Sequence, residues 1–395
     1  MSERFDGAKG IGVLGGGQLG RMLTLEAKDM GYHVVTLEPL PNSPCGQVAD
    51  EQIVAAYDDA RALGELGASS DVITYEFENI PLESVRALER AGRTVRPDAN
   101  VLRITQDRLL EKTFVRSVGC ATAEFAPVED RAELESALER IGVPAVLKTV
   151  RGGYDGKGQW LVRDRIQAQA ALQEANGKQL ICEEFIAFDC EVSVICARAA
   201  GSQIVAFPVS ENQHDAGVLV TAIVPARITP LVGARVRAAA ERIGAGLGII
   251  GTYCVEFFVR GDEVFVNEIA PRVHNSGHYS LDATQISQYE MHVRAICDLP
   301  LVEPALFAPA VMMNILGDGT GDELSGIERV LRDPGLKLHL YGKQHAALRR
   351  KMGHFTVLGT SVEDALERAV RARSLLSWTA RRQSANLAVA RSSAG

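Results

Sequence analysis

An apolar run over residues 11–14 stops at Gly15-Gly16-Gly17, a helix-like stretch follows over about 19–30, and a second apolar run covers 33–37. Strand, glycine turn, helix and strand at this spacing make a βαβ unit, whose two strands must lie parallel in one sheet. A short strand over 72–75 and a helix over 82–91 continue the pattern, so the first hundred residues are expected to form an open parallel α/β domain. The chain has 395 residues, too many for that core alone, and two or three domains are expected.

Near residue 100 the pattern changes. Residues 106–118 read as a charged amphipathic helix, and 143–149 as a strand ending in a glycine-rich loop. Further strands are expected over 180–185 and 190–197, a hairpin over 252–259 and 263–269 around Gly261-Asp262, and a helix over 286–297. Pro304 and Pro309 mark a linker to a smaller module, and the last ten or so residues, rich in Ser, Ala and Arg, are expected to be frayed.

Composition excludes some classes. The net charge of -8 argues against nonspecific binding to nucleic acid or anionic membrane. No uncharged apolar run reaches the ~18 residues of a membrane span, and the charged first ten residues do not read as a signal peptide. The seven cysteines are odd in number and form no Cys-x-x-Cys pair, which fits free thiols in a reducing cytosol.

Gly15-x-Gly17-x-x-Gly20 has the spacing of a dinucleotide fingerprint, with Glu38 placed for a ribose. It is also compatible with a tight packing turn, or with phosphate bound at the helix N-terminus. The last reading is preferred, because the rest of the chain carries phosphate chemistry and supplies no hydride site. In Lys148-Thr149-Val150-Arg151-Gly152-Gly153-Tyr154-Asp155-Gly156-Lys157-Gly158-Gln159, glycines let the loop bend and offer N–H donors. Lys148 and Lys157 add charge suited to a triphosphate. The glycine spacing is not that of a Walker loop. Glu183-Glu184-Phe185-Ile186 and Glu191 could meet an adenine edge and ribose hydroxyls, or be a solvated strand end.

Glu256 and Glu268 flank the hairpin turn. A three-residue loop, or a bulge, would set their carboxylates opposite each other; a two-residue loop alone would put them on opposite faces. Opposed carboxylates repel unless compensated, and Mg²⁺, which takes one or two carboxylates, would resolve the conflict, with Asn267 able to add an oxygen. In the run Asn267-Glu268-Ile269-Ala270-Pro271-Arg272-Val273-His274-Asn275-Ser276-Gly277-His278, Arg272 is a fork for a small oxyanion and His274 can hold or relay a proton. Asn275 and Ser276 are neutral hydrogen-bonding groups, whereas His278 and His292 read as structural.

The glycine loop and the 267–278 run together resemble 5-(carboxyamino)imidazole ribonucleotide synthase, of the ATP-grasp superfamily. Supporting matches are Gly17-Gln18-Leu19-Gly20-Arg21-Met22, Glu76 in Thr74-Tyr75-Glu76-Phe77-Glu78, Gln106-Asp107-Arg108, Tyr341-Gly342-Lys343 and Arg350-Lys351-Met352-Gly353-His354. The likeness covers about 10–357, and the chain is one residue longer than the family between Lys343 and Arg350. The resemblance implies an ATP-grasp fold: an N-terminal open parallel α/β (Rossmann-like preATP-grasp) domain over 1–104, an ATP-grasp domain over 105–298 with a mobile lid at about 118–186, and a small C-terminal domain over 299–395. It also implies a cytoplasmic homodimer.

It further implies ATP contacts from Arg108, Lys148, Gly153 to Gln159, Glu183 to Ile186, Glu191, His214, Asn267 and Glu268, and Mg²⁺ on Glu256 and Glu268. Tyr154, Asp155, Arg272 and His274 would be catalytic. Gln18, Leu19, Glu76, Asn275, Ser276, Lys343, Arg350 and Lys351 would hold the ribonucleotide. The implied activity is ATP-dependent carboxylation of 5-aminoimidazole ribonucleotide with bicarbonate, in purine synthesis. Rivals are a formate-dependent ribonucleotide transformylase or biotin carboxylase, a non-catalytic nucleotide-binding regulator, and an NAD oxidoreductase.

Overall fold

The computed structural model describes residues 10–153 and 156–380. Tyr154, Asp155 and the tail expected to fray lie outside the described residues. The N-terminal elements are β1 (Gly10–Leu14), α1 (Gln18–Asp29), β2 (His33–Leu37), β3 (Glu51–Ile53), α2 (Ala60–Ala68), β4 (Val72–Tyr75) and α3 (Leu82–Arg90). The strands form a parallel sheet in the order β3-β2-β1-β4. Ile11 and Val13 pack on Leu19, Met22 and Leu23 of α1, while Leu14 and Ile73 pack on Leu63, Leu66 and Val85 of α2 and α3. Both faces are covered, which is why these strands read as continuous apolar runs rather than as alternation.

The helix expected over 106–118 is α5 (Arg108–Ser117), and a further helix, α4 (Ala99–Thr105), precedes it. Asp107 ends the continuity: its side chain accepts from the N–H groups of Leu109 and Leu110 and so caps α5. Next come β5 (Phe125–Val128), α6 (Arg131–Ile141), β6 (Ala145–Thr149), β7 (Gln159–Val162), α7 (Arg165–Glu174) and β8 (Leu180–Glu184). Their four strands form a separate antiparallel sheet, β5-β8-β6-β7, whose apolar face packs on α6 and α7 through Leu134, Leu138, Ala168 and Ala171. The glycine loop joins β6 to β7.

The body contains β9 (Cys190–Arg198), β10 (Ile204–Ala206), β11 (Ser210–Asp215), β12 (Val218–Val224), α8 (Pro230–Leu247), β13 (Gly251–Arg260), β14 (Glu263–Ala270), a 3₁₀ turn (Asn275–Gly277), α9 (Ser280–Ala283) and α10 (Gln288–Ile296). The chain continues through β15 (Ala310–Leu316), β16 (Glu323–Ser325), α11 (Ile327–Val330), β17 (Leu336–Leu340), β18 (Lys351–Leu358), α12 (Val362–Leu375) and β19 (Ser377–Thr379). Among the described residues these build one sheet in the order β14-β13-β9-β11-β12-β15-β18-β17, with β10 on β9. The C-terminal strands therefore extend the sheet of the body: Thr221 of β12 pairs with Met313 of β15. Pro304 and Pro309 interrupt the chain between strands without separating the sheet.

The hairpin of β13 and β14 turns through the two residues Gly261 and Asp262, with Arg260 paired to Glu263. Continued without change, that register would set Glu256 opposite Asn267. A bulge intervenes: Phe257 pairs with Val266, but Glu256 pairs with Glu268, leaving Asn267 as the extra residue. The two carboxylates thus face each other.

Helix α8 offers a test of this packing. A Cβ at Gly244 would meet the Tyr253 hydroxyl at 1.9 Å, whereas at Gly233 it would meet only Ile228 Cδ1 at 3.9 Å. Gly244→Ala is expected to cost about 1–3 kcal/mol by overpacking, and Gly233→Ala to stabilise slightly by removing helical glycine entropy. Thermal melting of both variants checks this; a Gly244→Ala melt at or above that of the parent would contradict the packing described.

Candidate active site

A cleft of about 830 Å³ opens where the glycine loop, the end of β8, the β13–β14 hairpin, the start of α1 and the start of β18 converge. Its lining includes Arg108, Lys148, Gly153, Gly156, Lys157, Gly158, Gln159, Glu183, Glu184, Phe185, Ile186, Glu191, His214, Asn267 and Glu268, all expected at a nucleotide. Gln18, Leu19, Glu76, Glu256, Arg272, His274, Asn275 and Lys351 line it as well. Gly156 and Gly158 both have left-handed backbone, with φ of 75° and 69°. Phe188 and Phe258, not anticipated from sequence, stack at 4.8 Å and add a flat apolar wall.

Behind β8 lies a buried charge network. Glu183 is 2% exposed and accepts from Lys148 at 2.8 Å, with Lys112 at 3.4 Å on the same oxygen. Against burial, the two ammonium groups draw its carboxyl down to about 2. Lys112 also donates to Thr122 Oγ1 at 3.0 Å and to the Asn267 carbonyl at 3.2 Å. It therefore ties α5 to the bulge. Neither Lys112 nor Glu111, whose carboxylate accepts from the Ile269 N–H, was singled out from sequence. They belong to the charged helix, and their charged partners and strand contacts at Glu183, Asn267 and Ile269 lie more than 70 residues away.

Glu268 is held by Arg108 at 3.1 Å, and Glu256 by His274 at 3.2 Å. Burial, then the Glu268 charge, push the Glu256 carboxyl up to about 8. Against burial, Arg108 and Lys148 hold Glu268 below the ordinary range. A carboxylate that resists ionising beside another is the environment a hard cation relieves, so the residues present fit Mg²⁺. His214 Nδ1 lies 2.6 Å from Glu191; burial opposes its charge, but Glu191, Glu256 and Glu268 hold it above its usual range.

Arg272 pairs with the Glu78 carboxylate and donates to the Val273 carbonyl at 3.0 Å, which fixes its guanidinium at the cleft wall. Asn275 is 7% exposed, and neither its amide oxygen nor its amide nitrogen finds a partner among the described residues. Such a group at a cleft wall suits a polar ligand. Ser276 does not reach the cleft; it is fully buried behind His274. His278 and His292 are structural, as expected: His278 Nδ1 bonds Tyr289 at 2.8 Å, and His292 Nδ1 accepts from the Thr252 N–H at 3.0 Å.

The glycine fingerprint differs from its preferred reading. The N–H groups of Gly17 and Gly20 at the start of α1 both donate to the Glu76 carboxylate, the latter at 2.6 Å. That of Gly16 donates to Glu38 at 2.9 Å. Carboxylates of the chain occupy the place expected for a phosphate, since a helix N-terminus favours any anion. Glu38 also accepts from Tyr57 at 2.5 Å and from the Leu40 N–H at 3.1 Å, so it serves the turn.

Among the C-terminal cations, Lys351 lines the cleft. Lys343 donates to Gln18 Oε1 at 2.8 Å and to the Lys351 carbonyl at 2.7 Å, bridging α1 to β18. Arg350 donates to the His345 carbonyl at 3.0 Å and is not part of the lining. Arg349, with φ of 62°, reaches Asp215 at 2.8 Å.

Comparison with known proteins supplies the family context. The ribonucleotide synthetase preATP-grasp domain matches residues 8–106, the ATP-grasp domain 113–289, and the phosphoribosylaminoimidazole carboxylase C-terminal domain 310–368. An N5-carboxyaminoimidazole ribonucleotide synthase of Bacillus subtilis is 42% identical over 353 residues, 88% of this chain and 91% of its own. The crystal structure of an ADP complex of an N5-carboxyaminoimidazole ribonucleotide synthetase superposes with a TM-score of 0.87 at 44% identity, covering 93% of this chain and 96% of that one. An N5-carboxyaminoimidazole synthase from Aspergillus clavatus, in complex with ADP and 5-aminoimidazole ribonucleotide, gives 0.87 at 28% identity, covering 93% and 98%.

The Glu183 network predicts an acid-dependent stability. Its carboxyl lies at about 2 in the fold against an ordinary 4.5, so its contribution is complete above about 4.5 and is lost as pH falls toward 2. Glu183→Gln leaves two buried ammonium groups without their counter-charge and is expected to cost about 3–5 kcal/mol. Denaturant melts at pH 7 and at pH 3 should show the gap between parent and variant narrowing in acid. A gap that widens there would contradict the assignment.

Proposed function

The chain belongs to the N5-carboxyaminoimidazole ribonucleotide synthase family, and from that premise we propose that it uses ATP and bicarbonate to carboxylate the amine of 5-aminoimidazole ribonucleotide, in purine biosynthesis. The observation that carries this reading is one cleft shared by a glycine loop, an opposed carboxylate pair and a cluster of Arg272, His274 and Asn275. Nucleotide chemistry and a second polar substrate can meet there. The transformylase, biotin carboxylase and regulator readings are not favoured. The NAD reading loses its ribose ligand, because Glu38 is engaged by the glycine turn.

ATP lies between the glycine loop and the hairpin, with Lys148 and the loop N–H groups on its phosphates, and Glu184 to Ile186, Glu191 and His214 toward the nucleoside. Bicarbonate oxygen attacks the γ-phosphorus, giving carboxyphosphate and ADP. The amine attacks the carboxyphosphate carbonyl, or CO₂ released from it, and yields a carbamate and phosphate. Lys148 and Arg108 stabilise charge on the transferred phosphoryl oxygens. Arg272, oriented by Glu78, and His274 hold the bicarbonate. Glu256 and Glu268 would hold Mg²⁺, with Asn267 near, and when bound it neutralises phosphate charge. Tyr154 and Asp155 would position the amine, by resemblance to the family.

Gln18, Leu19, Glu76 and Asn275 meet the ribonucleotide, and Lys343 and Lys351 its phosphate. A cytosolic homodimer is part of the proposal. None of the seven cysteines forms a disulfide, which supports a reducing compartment, and among the described residues no helix is long and apolar enough to cross a membrane.

The direct test is ATP turnover with and without 5-aminoimidazole ribonucleotide and bicarbonate, followed by product mass. Turnover is expected to require both, with the ribonucleotide gaining the mass of CO₂. Indifference to the ribonucleotide would sink the reading. Glu268→Gln should melt like a folded protein yet lose ~10²-fold or more in turnover; retention of a third of the rate at saturating Mg²⁺ would remove the carboxylate from the metal site.

The cations divide the substrates. Lys343→Ala and Lys351→Ala are each expected to weaken ribonucleotide binding by about ten- to a hundredfold, the worth of one charge-assisted contact. The Michaelis constant for ATP should stay within about threefold. The opposite split would assign these lysines to the nucleotide.

A further inference from the structure

His274 stands at the cleft end of a buried hydrogen-bond chain whose direction can be read from the geometry. Its Nδ1 accepts from the Ser276 N–H at 3.3 Å and lies 2.9 Å from the Ser276 hydroxyl. A backbone amide can only donate, so Nδ1 carries no proton. The ring proton is therefore on Nε2, which lies 3.2 Å from Glu256 Oε1 on the cleft side.

The chain runs further into the protein. Ser193 donates its single hydroxyl proton to Ser276 Oγ at 2.7 Å. With that proton committed, Ser193 must accept from the Asn212 amide, whose Nδ2 lies 2.8 Å away. The Ser210 hydroxyl, 2.8 Å from that of Ser193, completes the set as a second donor to it. Every proton then points one way: Asn212 to Ser193 to Ser276 to His274. Ser193, Ser210 and Ser276 are at most 1% exposed and Asn212 is 5% exposed, so no water competes for these groups.

We propose that Asn212, Ser193 and Ser276 are positioning residues that lock His274 with its proton on Nε2, as a hydrogen-bond donor to the oxyanion substrate in the cleft, and that His274 is not the group that takes the amine proton. Its cleft-facing nitrogen already carries a proton, and its other nitrogen is blocked by an amide. The same lock bears on a neighbouring arrangement. Cys254, Glu256 and His274 have ligand atoms within 4.8 Å of one another, a set that would otherwise suit a thiophilic metal. With its proton on Nε2, the imidazole offers only Nδ1, and that atom is engaged by Ser276.

This inference rests on the carboxylation reading only for the identity of the proton donor, the amine; the lock itself can be measured without substrates. Two-bond ¹H–¹⁵N spectra of the full-length protein, with His274→Gln to assign the ring, should show His274 protonated on Nε2 alone at neutral pH. A ring protonated on Nδ1, or on both nitrogens, would overturn the proposal. Kinetics give a second arm. Gln can donate from near the Nε2 position but cannot act as a base, so His274→Gln should keep at least about tenfold more kcat than His274→Ala. Equal loss in the two would restore His274 as proton acceptor and overturn the proposal.

Ser193→Ala should lower kcat by about two- to tenfold, the worth of one neutral hydrogen bond, with the KM for ATP unchanged and with recovery in Ser193→Thr. An unchanged kcat, or a fall that Ser193→Thr does not repair, would remove Ser193 from the chain. If the parent enzyme does not turn over ATP with the ribonucleotide, the functional reading fails while the spectra still decide the lock.

Discussion

The site depends on two like charges being forced to face each other. Glu256 and Glu268 are directly paired across β13 and β14, an arrangement that is destabilising without compensation. Much of the surrounding architecture compensates it. Arg108 of α5 serves one carboxylate and His274 the other. Lys148 sits close enough to influence Glu268 while bonding Glu183, and Lys112 fixes the bulge that creates the pairing. The hairpin is thus kept in a register whose residual repulsion a bound hard cation would relieve. Pre-organisation of this kind is where phosphoryl-transfer sites gain most of their rate.

Much of the fold was legible because its signals are local. The βαβ unit announced itself through two apolar runs and a glycine turn, and the β13–β14 hairpin through Gly261-Asp262. The opposed carboxylates were legible only as a condition, since the turn alone would misregister them. Nothing in Val266-Asn267-Glu268 says that Asn267 is the bulged residue; the Lys112 contact to its carbonyl arrives from 155 residues away. The glycine fingerprint misled for a related reason. Its N–H groups do bind anions, but the anions are Glu76, 59 residues on from Gly17, and Glu38.

The charged helix over 106–118 hid a similar ambiguity. Glu111 and Lys112 have the composition of a solvated face, yet they are 3% and 1% exposed. A sequence pattern cannot separate a charge that faces water from one that faces a buried partner, because the partner lies outside the window. The Asn212–Ser193–Ser276 chain was invisible for the same reason: three small polar residues, distant in sequence, acquire meaning only when β9, β11 and the 3₁₀ turn bring them together.

The pairing of β12 with β15 has a practical corollary. Because the last strands complete the sheet of the body, a polypeptide trimmed at the proline-rich crossover would leave Val218–Val224, a run of Val, Leu, Thr, Ala and Ile, as a naked border with unmatched amide and carbonyl groups. Such a border templates the addition of foreign strands. An excised nucleotide-binding fragment of this protein would therefore be sticky rather than merely inactive, and a recombinant version would keep its solubility only if strand β15 travelled with it.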